Sequence, residues 1–411
     1  MYTVLLCFVY IFLWLLYPFN LKVRKWLKGQ KGNLKKIKEF VKHNNNSPIV
    51  WLHCSSQGEF EQGKPLLEAF LSENPEYKSF ITFFSPSGYL ASQKYKADCI
   101  VYLPLDTCVN ACRVVNLVKP KFVLWIKYDF WKNFLKQFHK NNIPCYLVSA
   151  NFRSTQLLFK HIPFYSSVLR YFTHLFVQTE KSKELLESVK INNVTVTGDT
   201  RFDRVMEIAS QEVSYPIIEA FVQNDAKVII AGSSWVKDEL IIAEVFANYE
   251  DVKLIIVPHE INEERLQETE KIFPNYKTIR YTKAQHANIA DYDLLIVDTM
   301  GMLSSIYRYA KVGYIGSGFD SDGIHNALEA AVYGIPVTFG PRYSKYEEAK
   351  DLVKLGGAVP FNNATELGLL IQRWYYNDDE RKRIGDICRE YVVSHAGTTE
   401  KILEFIREKQ K

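Results

Sequence analysis

Short apolar runs rich in β-formers alternate with segments of helical length along most of the chain, and this alternation restricts the fold more than any other feature. Ile49–Leu52, Phe80–Phe84, Ile100–Tyr102, Phe122–Ile126, Cys145–Val148, Leu175–Val177 and Val194–Val196 read as buried strands. The pattern loosens over Val205 to Asp225, punctuated by Tyr215-Pro216, and restarts with Val228–Ile230, Leu254–Val257, Leu294–Val297, Val312–Ile315 and Pro336–Phe339. Such alternation predicts an α/β fold with parallel sheets covered by helices on both faces. A chain of 411 residues exceeds one ordinary core. Two Rossmann-like domains are therefore expected, residues 48–210 and 211–395, followed by a closing helix at 396–411, with a cleft between the domains as the ligand site.

Ahead of the first strand, Tyr2 to Phe19 carries no charged side chain. Eighteen helical residues would reach roughly 27 Å, close to the roughly 30 Å hydrocarbon core of a bilayer. A charged n-region and a small-residue cleavage site are both missing, so residues 1–20 read as an uncleaved anchor and not as a signal peptide. Residues 21–47 form a basic neck and linker. Within it, residues 21–43 hold nine Lys and Arg against Glu39, a charge of +8; the whole chain is +5, which leaves −3 elsewhere. The basic character is thus local and adjoins an apolar segment. It suits the anionic lipids of a bilayer, and no nucleic-acid partner is expected. The positive-inside rule then places the neck and the domains in the cytoplasm as a single-pass protein. An interfacial helix lying in the membrane plane is the alternative. Seven cysteines without a CxxC pair fit reduced, mostly buried thiols.

The most suggestive stretch runs from Trp51 to Phe70: a strand, a small polar turn at Cys54 to Gly58, then a helix with Leu66, Leu67 and Phe70 on its apolar side. Glu59 directly follows the turn glycine. Ligands of open α/β sheets collect where strand carboxyl ends feed helix N-termini, so Glu59 is placed to face a cleft. Alternatively it only complements the helix dipole, which would favour its ionised form. No phosphate loop of the G-x-x-x-x-G-K-[ST] type occurs, and no G-x-G-x-x-G follows the first strand. In the second half, polar turns follow strands at Ala231 to Trp235, Pro258-His259-Glu260 and Asp298 to Gly301. The densest runs from Gly316 to Glu329, where a loop is expected to open a helix at about Asp322 to Asn326. Backbone N–H groups there would suit a phosphate, and Glu329 would suit a ribose diol. The ordinary readings are a satisfied histidine at 325 and a solvated helix residue at 329.

Taken in order, these segments resemble the Kdo (3-deoxy-D-manno-octulosonic acid) transferases of lipid A biosynthesis, membrane-anchored GT-B glycosyltransferases, from the anchor to about residue 360. The family's S-x-G-E turn is matched by Ser56-Gln57-Gly58-Glu59, P-L-D-T by Pro104 to Thr107, and N-x-R by Asn151-Phe152-Arg153. G-x-x-K-F-D is matched by Gly198 to Asp203 with Arg201 for Lys, D-T-M-G-x-L by Asp298 to Leu303, G-G-H-N-x-x-E by Gly323 to Glu329, and G-P by Gly340-Pro341. Three segments depart from the family: E-x-E-L-W-P reads Lys127 to Lys132, the arginine of P-R-H is His259, and the second glycine of G-G-H-N is Ile324.

The resemblance implies an inverting transfer of Kdo from CMP-Kdo to a lipid A precursor of the lipid IVA type, in lipopolysaccharide biosynthesis at the cell inner membrane. It implies Glu59 as the catalytic base, with no cofactor and no metal; the pair Asp320 and Asp322 is a weak metal signal. The donor site implied comprises His259, Met300, Gly301, Gly316, Ser317, Gly318, Gly323, His325, Asn326 and Glu329. Candidates for the acceptor or the Kdo carboxylate are Ser56, Gly58, Lys64, Asp129, Arg153 and Arg201. The alternatives are another GT-B enzyme using a UDP-sugar, of the lipid A disaccharide synthase or 2-epimerase type, and a catalytically inactive membrane-tethered sugar-nucleotide binding protein.

Overall fold

The computed structural model of the protein describes residues 2–156, 159, 167–223, 227–247, 249 and 252–410. The end of the loosened segment, residues 224 and 225, lies outside the described residues. The chain forms two compact units, residues 1–204 with 397–411, and residues 205–396.

The first unit is built on β1 (Ile49–Cys54), β2 (Lys78–Phe83), β3 (Cys99–Tyr102), β4 (Phe122–Ile126), β5 (Cys145–Ala150), β6 (His174–Val177) and β7 (Val194–Val196). All pairs are parallel, in the order β3-β2-β1-β4-β5-β6-β7. β1, β4 and β5 are buried along their whole length, which is why they read as unbroken apolar runs. Their side chains alternate between two cores. Trp51, Val123, Trp125 and Leu147 pack with the helices Cys108–Val118 and Lys132–Lys140. Val50, Leu52, Leu124 and Ile126 pack with Gln57–Glu73 and with Ile402, Leu403 and Ile406 of the closing helix Thr398–Gln410. Asp203 seats that closing helix by accepting from the N–H groups of Gly397 and Thr399, both at 2.6 Å.

The second unit holds β8 (Lys227–Ser234), β9 (Val252–Pro258), β10 (Thr278–Arg280), β11 (Leu294–Ile296), β12 (Val312–Ile315), β13 (Val337–Phe339) and β14 (Ala358–Pro360), parallel in the order β10-β11-β9-β8-β12-β13-β14. Strand order reverses beside β1 in the first sheet, between β1 and β4, and beside β8 in the second, between β8 and β12. At such switch points the loops leaving the two strands part in opposite directions and open a crevice at the carboxyl edge.

The N-terminal segment corrects one expectation. Its helix covers Tyr2–Leu16, not the full stretch to Phe19. Pro18 lacks the N–H that would continue the ladder, and Asn20 caps a new helix, Leu21–Gln30, by accepting from the Val23 N–H at 3.1 Å. The two helices meet at 120°, and no single helix among the described residues is long and apolar enough to cross a membrane. One side of the first helix, with Tyr17 just beyond its end, packs through Tyr10 and Leu13 around Trp26, Leu27 and Tyr102. The other leaves Val4, Phe8, Ile11, Phe12 and Leu15 exposed.

Candidate functional site

Glu59 stands at the switch point of the first sheet, in the first turn of the helix that leaves β1. Ser56 is the N-cap of that helix and accepts from the Glu59 N–H at 3.4 Å. The Glu59 carboxylate reaches back to accept from the Ser55 N–H. This is close to a capping box, so the helix-terminus reading of Glu59 is realised in its hydrogen bonds. Its ionisation goes the other way from the dipole argument. Burial, and then the charge of Asp129, push the Glu59 carboxyl up to about 7 from its ordinary 4.5, while the N–H of Ser55 and the Lys127 ammonium pull it down. Desolvation outweighs the helix terminus because the carboxyl is drawn into the turn and away from water.

Asp129 lies in the loop leaving β4, across the switch point. Its Oδ2 accepts from Trp131 Nε1 at 3.2 Å and lies 3.5 Å from Nε2 of His53, a fully buried residue of β1. Lys127, in the same loop, has a φ of 57° and bonds its N–H to the Val148 carbonyl at 3.1 Å. Its charge also lowers the Asp199 carboxyl, after Arg201. The substitution that departs from the family segment thus supplies a cation that steadies neighbouring carboxylates.

Other acceptor candidates divide. Gln62, one turn beyond Glu59, donates to Asp199 at 2.8 Å; Gln178 donates to the same carboxylate at 2.7 Å, and Arg201 Nε at 2.8 Å. Arg201 is therefore held at this end of the sheet. Arg153 is exposed just after β5, and its charge and that of Arg201 both act on the Tyr128 hydroxyl, which accepts from the Asn151 N–H at 2.7 Å. Gly58 is exposed, and a Cβ there would meet nothing within 4 Å, so no packing in the protein itself requires a glycine. Lys64 is not gathered into the group: its ammonium pairs with Glu68 at 3.8 Å and lies over the Tyr95 ring.

In the second unit the loops leaving β8, β9 and β12 meet. His259, after β9, lies between Trp235 and His325, with ring centroids 5.0 and 4.4 Å away. Burial lowers both histidines; His325 falls to about 4, with His259 adding to the effect. The His325 Nε2 is buried with no hydrogen-bond partner among the described residues. Gly316 is required by contact, since a Cβ would stand 2.2 Å from the Ser233 carbonyl oxygen, and one on Gly318 would stand 2.4 Å from the Gly340 nitrogen. Ser317, at φ 72°, donates its N–H to buried Asp238 at 2.8 Å.

The helix expected at Asp322 to Asn326 starts later, at Leu328–Ala331. Gly323 has a φ of +85°, and the N–H groups of Ile324 and His325 bond to the carbonyls of Arg342 and Gly316, which keeps the segment extended. Asn326 Nδ2 donates to Glu329 at 3.2 Å. Met300, 70% exposed, and Gly301 follow β11, outside β9 on the same carboxyl edge. Asp320 accepts from Lys237 at 3.1 Å, and no group of three His, Cys, Asp or Glu among the described residues could hold a metal ion. Sequence reasoning missed Trp235, Asp238 and His53. Trp235 directly follows β8, which continues as strand through the expected turn to Ser234; His53 lies inside an apolar run, and Asp238 sits in a charged first helical turn, Lys237-Asp238-Glu239, that reads as solvated.

Residues 31–204 match the family model described as 3-deoxy-D-manno-octulosonic-acid transferase (kdotransferase). The chain is 28% identical over 359 residues to the 3-deoxy-D-manno-octulosonic acid transferase of Chlamydia trachomatis serovar D, covering 84% of this chain and 82% of that one. It is 28% identical over 330 residues to the enzyme of the same name from Aquifex aeolicus, covering 79% and 85%. Among solved structures, the UDP-GlcNAc 2-epimerase of Neisseria meningitidis superposes with a TM-score of 0.62 at 16% identity, over 88% of this chain and all of the other, a likeness of fold alone.

Proposed function

We propose that this chain, similar to the 3-deoxy-D-manno-octulosonic acid (Kdo) transferases, belongs to that family and is a GT-B enzyme that moves Kdo from CMP-Kdo onto a lipid A precursor of the lipid IVA type, with inversion. The observation that carries the mechanism is Glu59, a carboxylate at the β1/β4 switch point whose carboxyl is pushed up to about 7 by burial and Asp129. A sugar hydroxyl is a poor nucleophile near neutrality. A carboxylate within hydrogen-bond reach takes its proton as the bond to CMP breaks, and is most effective when its pKa lies near the working pH. CMP leaves as a stabilised anion, so no second carboxyl is needed to protonate it, and one base opposite the leaving group gives inversion.

Arg153 and Arg201 supply cations for the lipid phosphates or the Kdo carboxylate, with Ser56 and Gly58 leaving room for the acceptor. In the second unit, the turn Gly316-Ser317-Gly318 and the Trp235, His259 and His325 rings form the donor face, with Asn326, Glu329, Met300 and Gly301 around it. The exposed stripe Val4, Phe8, Ile11, Phe12 and Leu15, followed by the lysine-rich segment, attaches the enzyme to an anionic inner-membrane surface on the cytoplasmic side. At about 22 Å, the fifteen-residue helix suits an interfacial position better than a span.

The test offers the purified protein CMP-Kdo or UDP-GlcNAc together with a lipid IVA acceptor, and follows the lipid by mass spectrometry. Kdo addition from CMP-Kdo alone supports the proposal. Transfer from the UDP-sugar, or CMP binding without any transfer, overturns it.

A further inference from the structure

We infer that His53 is a positioning residue for this reaction, a buried imidazole that holds the Asp129 carboxylate facing Glu59. The inference rests on the reading of Glu59 as the base. His53 is fully buried on β1, otherwise Ile49, Val50, Trp51, Leu52 and Cys54, so its two ring nitrogens have been taken out of water and need partners. Register places it directly between Thr82 on β2 and Trp125 on β4. Its ring lies 4.1 Å from that of Trp125, and its Nδ1 is 2.9 Å from the Thr82 hydroxyl.

Proton accounting along this row gives the ring a direction. Trp51 Nε1 donates to Thr82 Oγ1 at 2.8 Å. Thr82 is itself fully buried, and the only acceptor its hydroxyl proton meets among the described residues is His53 Nδ1. If Nδ1 carried a proton instead, the Thr82 hydroxyl would have no acceptor, a loss that a buried donor does not tolerate well. His53 therefore carries its proton on Nε2, which makes no hydrogen bond within the described residues and faces Asp129 Oδ2 at 3.5 Å. The same oxygen takes the Trp131 indole N–H, and the Asp129 carbonyl takes that of Trp125. Two rings, those of His53 and Trp131, thus face one carboxylate while a third, Trp125, fixes its backbone, and that carboxylate is, after burial, the largest upward influence on Glu59. The other ionisable groups that interact with Glu59 are Lys127 in the Asp129 loop and Cys54 at the end of β1, which also feels Asp129 and Glu61.

The experiment compares the pH dependence of Kdo transfer by the full-length chain and its H53Q, H53L, D129N and H53L/D129N variants, with folding checked by circular dichroism. Glutamine keeps an N–H donor near the Nε2 position; leucine removes it. The expected result is a wild-type acidic limb near pH 7 that H53L and D129N each move down by at least about 0.5 unit, with kcat reduced and the KM for CMP-Kdo unchanged. H53Q restores the limb, and the double variant moves it no further than either single one. If H53L keeps the wild-type limb while D129N shifts it, or if the two shifts add, the inference is overturned. Should H53L not fold, a limb in H53Q displaced as far as that of D129N overturns it equally. Failure of the underlying reading looks different: E59Q would then transfer Kdo at the wild-type rate, whatever the limbs do.

Discussion

Replacing Glu59 with glutamine should make the protein more stable, by an amount that grows as pH rises from about 4.5 and is complete above about 7. Burial and Asp129 raise the Glu59 carboxyl from 4.5 to about 7 in the folded chain. Each unit corresponds to about 1.4 kcal/mol, so ionising this group in place costs roughly 3 kcal/mol relative to the unfolded chain. Because the folded pKa lies above the unfolded one, its favourable contribution is complete below about 4.5, declines as pH rises, and is lost above about 7. Glutamine does not ionise and can still accept from the Ser55 N–H. In a unit of about 200 residues each kcal/mol moves Tm by about 2–4 °C, so E59Q should melt about 6–12 °C above wild type at pH 8.5 and level with it at pH 4.5. Tryptophan fluorescence is a suitable probe, since Trp14, Trp26, Trp51, Trp125 and Trp131 all lie in the first unit. A gap independent of pH, or an E59Q variant that melts lower at pH 8.5, would refute the claim that the base is held in an environment hostile to its charge.

Three further outcomes follow from particular contacts. The kcat/KM for transfer should rise with pH through a limb near 7 as Glu59 loses its proton; a limb near 4.5 would mean the carboxyl is not desolvated in the working enzyme. Asp203→Ala removes the cap of the closing helix and should cost about 1–2 kcal/mol in urea unfolding, with faster amide exchange over residues 398–410; unchanged exchange would show that the cap is dispensable. Gly316→Ala drives a Cβ to 2.2 Å from the Ser233 carbonyl oxygen and should abolish CMP binding in calorimetry, and wild-type affinity there would remove this turn from the donor face.

The central strands were legible because β1, β4, β5, β8 and β12 are largely buried and so carry short apolar runs rich in Val, Ile, Leu and aromatic residues. The edge strands β10 and β14 were not, since Thr278–Arg280 ends in a charged residue and Ala358–Pro360 in a proline, so neither stands out as an apolar run. The position of Glu59 was legible from a strand, a small polar turn and a helix in succession, but its ionisation was not. That depends on Asp129, seventy residues away in sequence and brought across by the pairing of β1 with β4. The late helix start at Leu328 was hidden for a similar reason, because tertiary bonds from Ile324 and His325 hold the preceding residues extended against their local preference. His53 and Asp238 could not be read as polar participants, because the hydrogen bonds that occupy them come from other strands and loops.

The most direct test of Glu59 as the base is the single-turnover rate of Kdo transfer by E59Q, with CMP-Kdo and the lipid acceptor both bound before the reaction starts. The account predicts a rate at least about 100-fold below wild type with unchanged affinity for CMP-Kdo. An E59Q variant that transfers Kdo at the wild-type rate would contradict it.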